Sequence, residues 1–380
     1  MGQDSDGNEP VSDRVYKTVI YEDDDLDLIA TLDPQEDVNL KKMEIAFDRT
    51  CNFACTYCNA DFSTEWRKDI RKNGGYDMET HGGKVFMIDG DENNPYERLP
   101  EEDNPYTKAW WEWWPELSKG LRTLRITGGE PLMDKNTYKV FDHVLANPKS
   151  DLHLSTTSNF SVDEKLWQKY KGYVSKICSQ PATVEHFMQY VSLDGMFEQV
   201  EYVRHGLDFE LLWDRVHQFL RDIPERNSVT FIITMSNLSV TTLQKLFAAI
   251  LELRQTYSTT YQRVWFDTPV LRTPTWQSLQ LLPESYAYEL DITKSWMLGN
   301  LETEATRFHG FKDYEVARLD RDIAWMRDGQ RLSPEYIDRN KADFYRFFAE
   351  HDKRRGTDFL TTFPEMTTWW DECKYLSNNS

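Results

Sequence analysis

Six short runs rich in β-branched and aromatic residues recur between positions 43 and 270, and segments of helical period lie between most of them. The runs are Met43 to Phe47, Leu121 to Thr127, Leu152 to Thr157, Met188 to Leu193, Val229 to Met235 and Val264 to Val270. Strands that alternate with helices are joined by crossovers, and crossovers join parallel strands, so the rhythm predicts a parallel sheet backed by helices. Helices are expected near 134–146, 162–172, 209–221 and 239–254, the last with Ser239 as N-cap. The fold class is α/β, a partial (β/α)6 TIM-like barrel over residues 41–272, and the strand C-terminal ends are where its chemistry is expected.

The gap between the first two runs is too long for a plain crossover and reads as an insertion over about 62–120. It carries Trp110, Trp111, Trp113 and Trp114, read as core or docking surface ahead of a stacking platform. After Leu271 the pattern is mainly helical, with helices near 312–328 and 333–350, which makes residues 273–380 a C-terminal helical region.

Residues 1–40 form an acidic N-terminal extension, with twelve acids against Arg14 and Lys17. A solvated arm is the first reading, with Val15 to Ile20 and Leu28 to Leu32 as edge-strand candidates; a docking surface for a cationic partner is the sharper one. The whole chain has 64 acidic against 44 basic residues, a formal charge of -20, which repels phosphate backbones and places nucleic acid outside the expected partners. No stretch approaches the roughly 18 apolar residues of a membrane span, and MGQDSDGNEP lacks the cationic and apolar regions of a signal peptide. A soluble, cytoplasmic protein with no membrane partner is expected.

Three of the five cysteines, Cys51, Cys55 and Cys58, fall in FDRTCNFACTYCNA directly after the first run. That clustering points to metal rather than disulfides. Three soft ligands on one loop suit an iron-sulfur cluster with one iron left open; a zinc site completed by His81 or His153 is the alternative.

Cys-x3-Cys-x2-Cys with Tyr57 before the last cysteine resembles the signature of the radical S-adenosylmethionine (radical SAM) superfamily. The resemblance implies that Cys51, Cys55 and Cys58 bind a [4Fe-4S] cluster whose open iron chelates S-adenosyl-L-methionine, with Phe53 and Tyr57 beside the cofactor and Tyr57 near its adenine. RITGGEPLM after the second run is similar to the superfamily's motif for the cofactor's amino group, which assigns Gly128, Gly129, Glu130 and Pro131 to it. By the same resemblance Ser158, Asn159, Ser192 and Asp194 meet the ribose or carboxylate, Arg204 pairs with the methionyl carboxylate, and Asn237 binds ribose or substrate. The implied activity is an oxidoreductase-type radical enzyme: a one-electron reductant such as flavodoxin or ferredoxin reduces the cluster, the sulfonium is cleaved, and a 5'-deoxyadenosyl radical takes a hydrogen atom from substrate.

The tract after the sixth run resembles radical SAM proteins with a short twitch region, but Cys178 and Cys373 alone are too few for a cysteine-only auxiliary cluster. Either thiol is a candidate hydrogen-atom donor, against a buried structural role. Trp265, Asp267, Arg272, Trp276 and Gln277 mix aromatic, charged and amide groups as a substrate pocket does, and as a buried loop also does. Three functional classes stay open: an enzyme acting on a peptide or amino-acid side chain, ranked first; an enzyme acting on a small metabolite or nucleotide-derived molecule; and a non-catalytic metal-binding scaffold.

Overall fold

In the computed structural model, which describes residues 23–36, 38–80, 104–179, 183–224 and 226–380, six strands form one sheet. They are β1 (Lys42–Ala46), β3 (Thr123–Thr127), β4 (Lys149–Ser158), β5 (Val184–Ser192), β7 (Asn227–Ile232) and β8 (Val264–Asp267), hydrogen-bonded in that order. Every pairing is parallel, so all six C-terminal ends lie along one rim. All six expected runs are present, and the sequential parallel order is that of a barrel left open between β1 and β8. A two-residue antiparallel pair, β2 (Ala54–Cys55) with β6 (Arg204–His205), was not expected from the sequence.

Register explains the two faces of the sheet. Leu124, Leu154 and Phe187 lie side by side, as do Ile126, Thr156, Gln189, Val229 and Val264, and all of these are buried beneath the helices. Burying each large apolar side chain contributes about 1.5–3 kcal/mol, which fixes the register because a one-residue slip would expose the whole row. The opposite face carries Arg125, Thr157, Tyr190 and Trp265, all half-buried. There the Arg125 guanidinium donates to Thr157 Oγ1 at 3.0 Å and lies 4.2 Å from the centre of the Tyr190 ring.

The helices are α1 (Asp23–Thr31), α2 (Thr64–Asn73), α3 (Pro105–Gly120), α4 (Lys135–Ala146), α5 (Glu164–Ser179), α6 (Phe197–Val203), α7 (Phe209–Asp222) and α8 (Leu243–Tyr257). They are followed by α9 (Glu284–Leu298), α10 (Asp313–Arg327), α11 (Pro334–Arg355), α12 (Phe359–Thr362) and α13 (Thr367–Asn379). In α7, Phe209, Leu212, Val216, Phe219 and Leu220 make one buried stripe, and Asp208 caps the helix by accepting from Leu211 N–H at 2.9 Å.

Two local expectations fail. Leu28 to Leu32 is no edge strand, since most of it belongs to α1, where Leu28 and Ile29 are exposed; the preceding aspartate run is disfavoured in strands. Val15 to Ile20 lies outside the described residues. Ser239 does not cap α8, whose N-cap is Thr242; Ser239 Oγ instead closes a turn by accepting from Ser236 N–H at 2.9 Å. Of the four tryptophans on α3, Trp110 and Trp114 are buried and stack 4.5 Å apart while Trp113 is exposed, the core reading.

The C-terminal helices are tied to the sheet by buried charge. Arg254 of α8 and Glu315 of α10 form a fully buried ion pair at 2.5 Å, and Arg254 also donates to the carbonyls of Val264 and Gly310. Helix α11 reaches the segment after α2: Asp343 accepts from Glu79 and Thr80 N–H, Arg354 donates to the Gly74 and Gly75 carbonyls, and Phe347 stacks on Tyr76 at 4.8 Å. Among the described residues no helix is long and apolar enough to cross a membrane.

Candidate active site

The loop between β1 and α2 is held on three sides. Its end is fixed by Ser63, which caps α2 by accepting from Glu65 and Trp66 N–H and donates its own hydroxyl to Phe53 O at 2.6 Å. Trp66 Nε1–H donates to Cys55 O at 2.8 Å, and Cys55 itself pairs with Arg204 across β2 and β6. Gln277 clamps the middle: its Nε2–H donates to Thr56 O at 2.9 Å, and its Oε1 accepts from the Thr56 hydroxyl at 3.0 Å.

The third support is the glycine pair after β3. Gly129 N–H donates to Asp48 O at 3.0 Å and Glu130 N–H to Thr50 O at 2.7 Å. A Cβ on Gly128, whose φ is +132°, would stand 2.6 Å from Asp48 O, and one on Gly129 would stand 2.4 Å from Thr50 O. The bare backbone is therefore required first by the cysteine loop itself.

Together these supports bring Cys51, Cys55 and Cys58 to the wall of one cavity of about 250 Å3. Phe53, Tyr57, Gly128, Gly129, Glu130, Ser158, Asn159, Ser192 and Arg204 share that wall, as the sequence reading placed them together, and Thr157 and Thr234 join them unforeseen. Glu130 is a node between strand ends, accepting from Leu132 N–H at 3.0 Å, Ser158 Oγ–H at 2.8 Å and Asn159 N–H at 2.8 Å. Burial pushes its carboxyl up to about 7, against the pull of those three donors. Pro131 opens the short 3-10 turn that follows. Asn159 also reaches back to the cysteine loop through Asn52 Oδ1 at 2.9 Å.

Arg204 and Asp194 do not present the free groups expected of them. The guanidinium fork closes on Asp194, with Nε to Oδ2 at 2.8 Å and Nη2 to Oδ1 at 3.1 Å. Asp194 further accepts from the Tyr57 hydroxyl at 2.6 Å and from Thr234 N–H at 2.7 Å. Both are buried, so each is the other's obligatory partner. Nη1 of Arg204 lies 3.9 Å from Cys55 Sγ, which places a permanent cation beside that sulfur. Burial and neighbouring thiols push Cys51 and Cys58 up to about 12, whereas for Cys55 burial raises the value and Arg204 opposes it. The apo loop thus carries neutral thiols, and loading a metal ion there must release protons.

The remaining candidates are elsewhere. Asn237 is buried away from this cavity; its N–H and Nδ2–H donate to the carbonyls of Gln277 and Trp276, both at 2.9 Å. Its place is structural because it anchors the turn that aims Gln277. Trp276 is fully buried against Phe347, so neither it nor Gln277 is available to a substrate. Trp265 donates to Gln262 O at 3.1 Å, Asp267 pairs with Arg318 at 3.2 Å, and Arg272 is exposed beside Trp325; none of the three lines the thiol cavity. Cys178 and Cys373 are buried in α5 and α13, also away from it. Of the zinc alternatives, His153 is exposed beside Thr123 at the other end of the sheet, and His81 lies outside the described residues.

Among the described residues no three His, Cys, Asp or Glu side chains converge as ligands of a single ion. One tetrahedral zinc holds its sulfurs at about 2.3 Å and draws them close together, whereas ligands to separate irons of a cluster stand around a larger body. The three thiols share one wall with Glu130, and the Arg204 cation stands beside one of them; soft sulfur donors of this kind suit zinc or an iron-sulfur cluster. No family model and no curated protein matches this chain.

Proposed function

We propose that the protein is a radical SAM enzyme acting on a peptide or amino-acid side chain. The observation that carries the reading is the meeting of Cys51, Cys55 and Cys58 with Gly128, Gly129 and Glu130 on one cavity wall at the C-terminal rim of the sheet. In this reading the three cysteines hold a [4Fe-4S] cluster and the remaining wall receives S-adenosyl-L-methionine. The chemistry the bound pair supplies is reductive cleavage of the sulfonium to a 5'-deoxyadenosyl radical that takes hydrogen from carbon.

The chain's own residues supply position and exclusion. Gln277, Trp66 and the glycine pair keep the loop rigid, so that the three sulfurs meet the cluster without a further ordering cost. Arg204 offsets part of the negative charge that the thiolates bring. Glu130 has acceptor capacity beyond its three donors, and in this reading its carboxylate would accept from the ammonium group of the cofactor. Phe53 and the Tyr57 ring, which lies under Arg204 at 5.4 Å, form the wall that keeps water from the reacting atoms.

The test is anaerobic reconstitution with iron and sulfide, scored by iron content, by the visible charge-transfer band and by dithionite-dependent 5'-deoxyadenosine. Each of Cys51→Ala, Cys55→Ala and Cys58→Ala is expected to abolish product. A colourless, zinc-loaded protein, or a triple variant that still takes up a full cluster, removes the reading.

A further inference from the structure

Strand register sets one row of side chains across the face of the sheet turned away from the helices: Thr157 of β4, Tyr190 of β5, Thr230 of β7 and Trp265 of β8. Thr230, a short side chain, thus stands between a tyrosine and a tryptophan. Neighbouring strands lie about 4.8 Å apart, so the two aromatic residues are rooted about 9–10 Å from each other. Aromatic rings pair with centroids about 4.5–7 Å apart, so these two are rooted too far apart for direct stacking and are spaced to take one further ring between them. Among the described residues neither packs on another ring: Tyr190 meets the Arg125 guanidinium, held on the β4 side by Thr157, and Trp265 is oriented by its Nε1–H bond to Gln262 O. The side of Tyr190 toward Thr230 is left without an aromatic partner, and both aromatic residues are only half-buried.

Two further observations point to a ligand between them. Thr230 is 7% exposed, and its buried hydroxyl oxygen has no hydrogen-bond partner among the described residues. A buried hydroxyl without a partner costs stability, and a ring N–H or O–H seated over it would supply the missing bond. The row also runs into the thiol cavity, whose wall includes Thr157 in the row itself and Ser192, two residues beyond Tyr190 on the same face. Two residues of strand rise about 6.6 Å, so an aromatic side chain lying in the row keeps its own α- and β-carbons close to that cavity.

We infer that the space between Tyr190 and Trp265 seats an aromatic side chain that carries a ring N–H or O–H, a tryptophan or tyrosine of a peptide, and that this seat holds the substrate's reacting carbon at the thiol cavity. The words substrate and reacting carbon rest on the radical SAM reading; the aromatic seat does not.

Saturation-transfer NMR on the full chain, prepared without iron, tests the seat separately from the radical chemistry. The probes are the N-acetyl amides of tryptophan, tyrosine, phenylalanine and leucine. The tryptophan or tyrosine amide is expected to bind most tightly, the phenylalanine amide less so and the leucine amide least. Tyr190→Leu and Trp265→Leu, which keep an apolar side chain in place, should each weaken the tightest probe about three- to tenfold. Thr230→Val, of the same shape, should weaken that probe about three- to tenfold and leave the phenylalanine amide unchanged. Tyr375→Ala, an exposed ring on α13, should change nothing. The inference is overturned if no probe binds, if the leucine amide binds as well as the aromatic ones, if the two leucine variants bind as the wild type does, or if Tyr375→Ala weakens binding equally. A Thr230→Val protein with unchanged affinities overturns the part given to the hydroxyl. A colourless protein that binds the aromatic amides here loses only the radical reading, and a cluster-bearing protein indifferent to them loses only the seat.

Discussion

Gly129→Ala separates two explanations of the glycine pair, because a cofactor contact matters only when cofactor is bound whereas a backbone contact matters always. The new Cβ would lie 2.4 Å from Thr50 O and 2.5 Å from Arg49 C. That is about 1 Å inside ordinary van der Waals separation, and the obstacles are backbone atoms with no rotamer to change. Relief requires the β3 end and the cysteine loop to move apart, which strains the bonds from Gly129 N–H to Asp48 O and from Glu130 N–H to Thr50 O. Overpacking costs about 1–3 kcal/mol and each of the two weakened bonds about 0.5–1.5, so a loss of about 2–6 kcal/mol is expected. Urea unfolding of iron-free protein measures it, and on the proposed cluster reading iron uptake on reconstitution should fall in parallel. Gly172→Ala is the control with the opposite sign: it lies inside α5, its Cβ would meet nothing within 4 Å, and the change should stabilise by about 0.5–1 kcal/mol. If iron-free Gly129→Ala unfolds with the wild type, the loop-docking argument is wrong.

Two further outcomes follow from buried charge. Arg204→Ala leaves Asp194 as a buried, unpaired carboxylate and should cost about 3–5 kcal/mol, with Asp194→Asn added to it recovering part of the loss; denaturation of the single and double variants decides, and a double variant no more stable than the single one refutes the pairing. His351 is fully buried, its ring nitrogens accept or donate no hydrogen bond among the described residues, and Asp352 at 3.8 Å is beyond reach of one. Burial lowers its pKa from 6.5 to about 4, so the unfolded chain takes up the proton first as pH falls. Its stability contribution is present above pH 6.5 and is lost between there and about 4, up to about 3 kcal/mol; His351→Phe should flatten that part of the stability-pH curve, and an unchanged slope would show another group responsible.

The sheet was legible because its strands are short apolar runs separated by turns, a local pattern that needs no partner to be seen. Helix ends were less so: α5 runs to Ser179, beyond the expected 172, because Val174, Ile177 and Cys178 continue its buried face. The cysteines and the glycine pair were visible through spacing and residue type. Their supports were not, since Gln277 meets Thr56 across 221 positions and no local signal links an amide to a distant threonine. The same limit explains Arg204 and Asp194, each chosen for a chemically apt side chain that the fold assigns to the other. Ser63 was readable in principle, as a serine directly before a helical stretch and three residues before its first buried tryptophan.

The clamp from Gln277 also has a consequence in time. During synthesis at roughly 5–20 residues per second, the thiols leave the ribosome about 10–45 s before the glutamine that fixes their loop. For that interval they belong to an unfinished chain, open to air and to stray metal ions. The loop therefore reaches its final geometry only once the chain has passed Gln277, and its thiols are most open to oxidation before then.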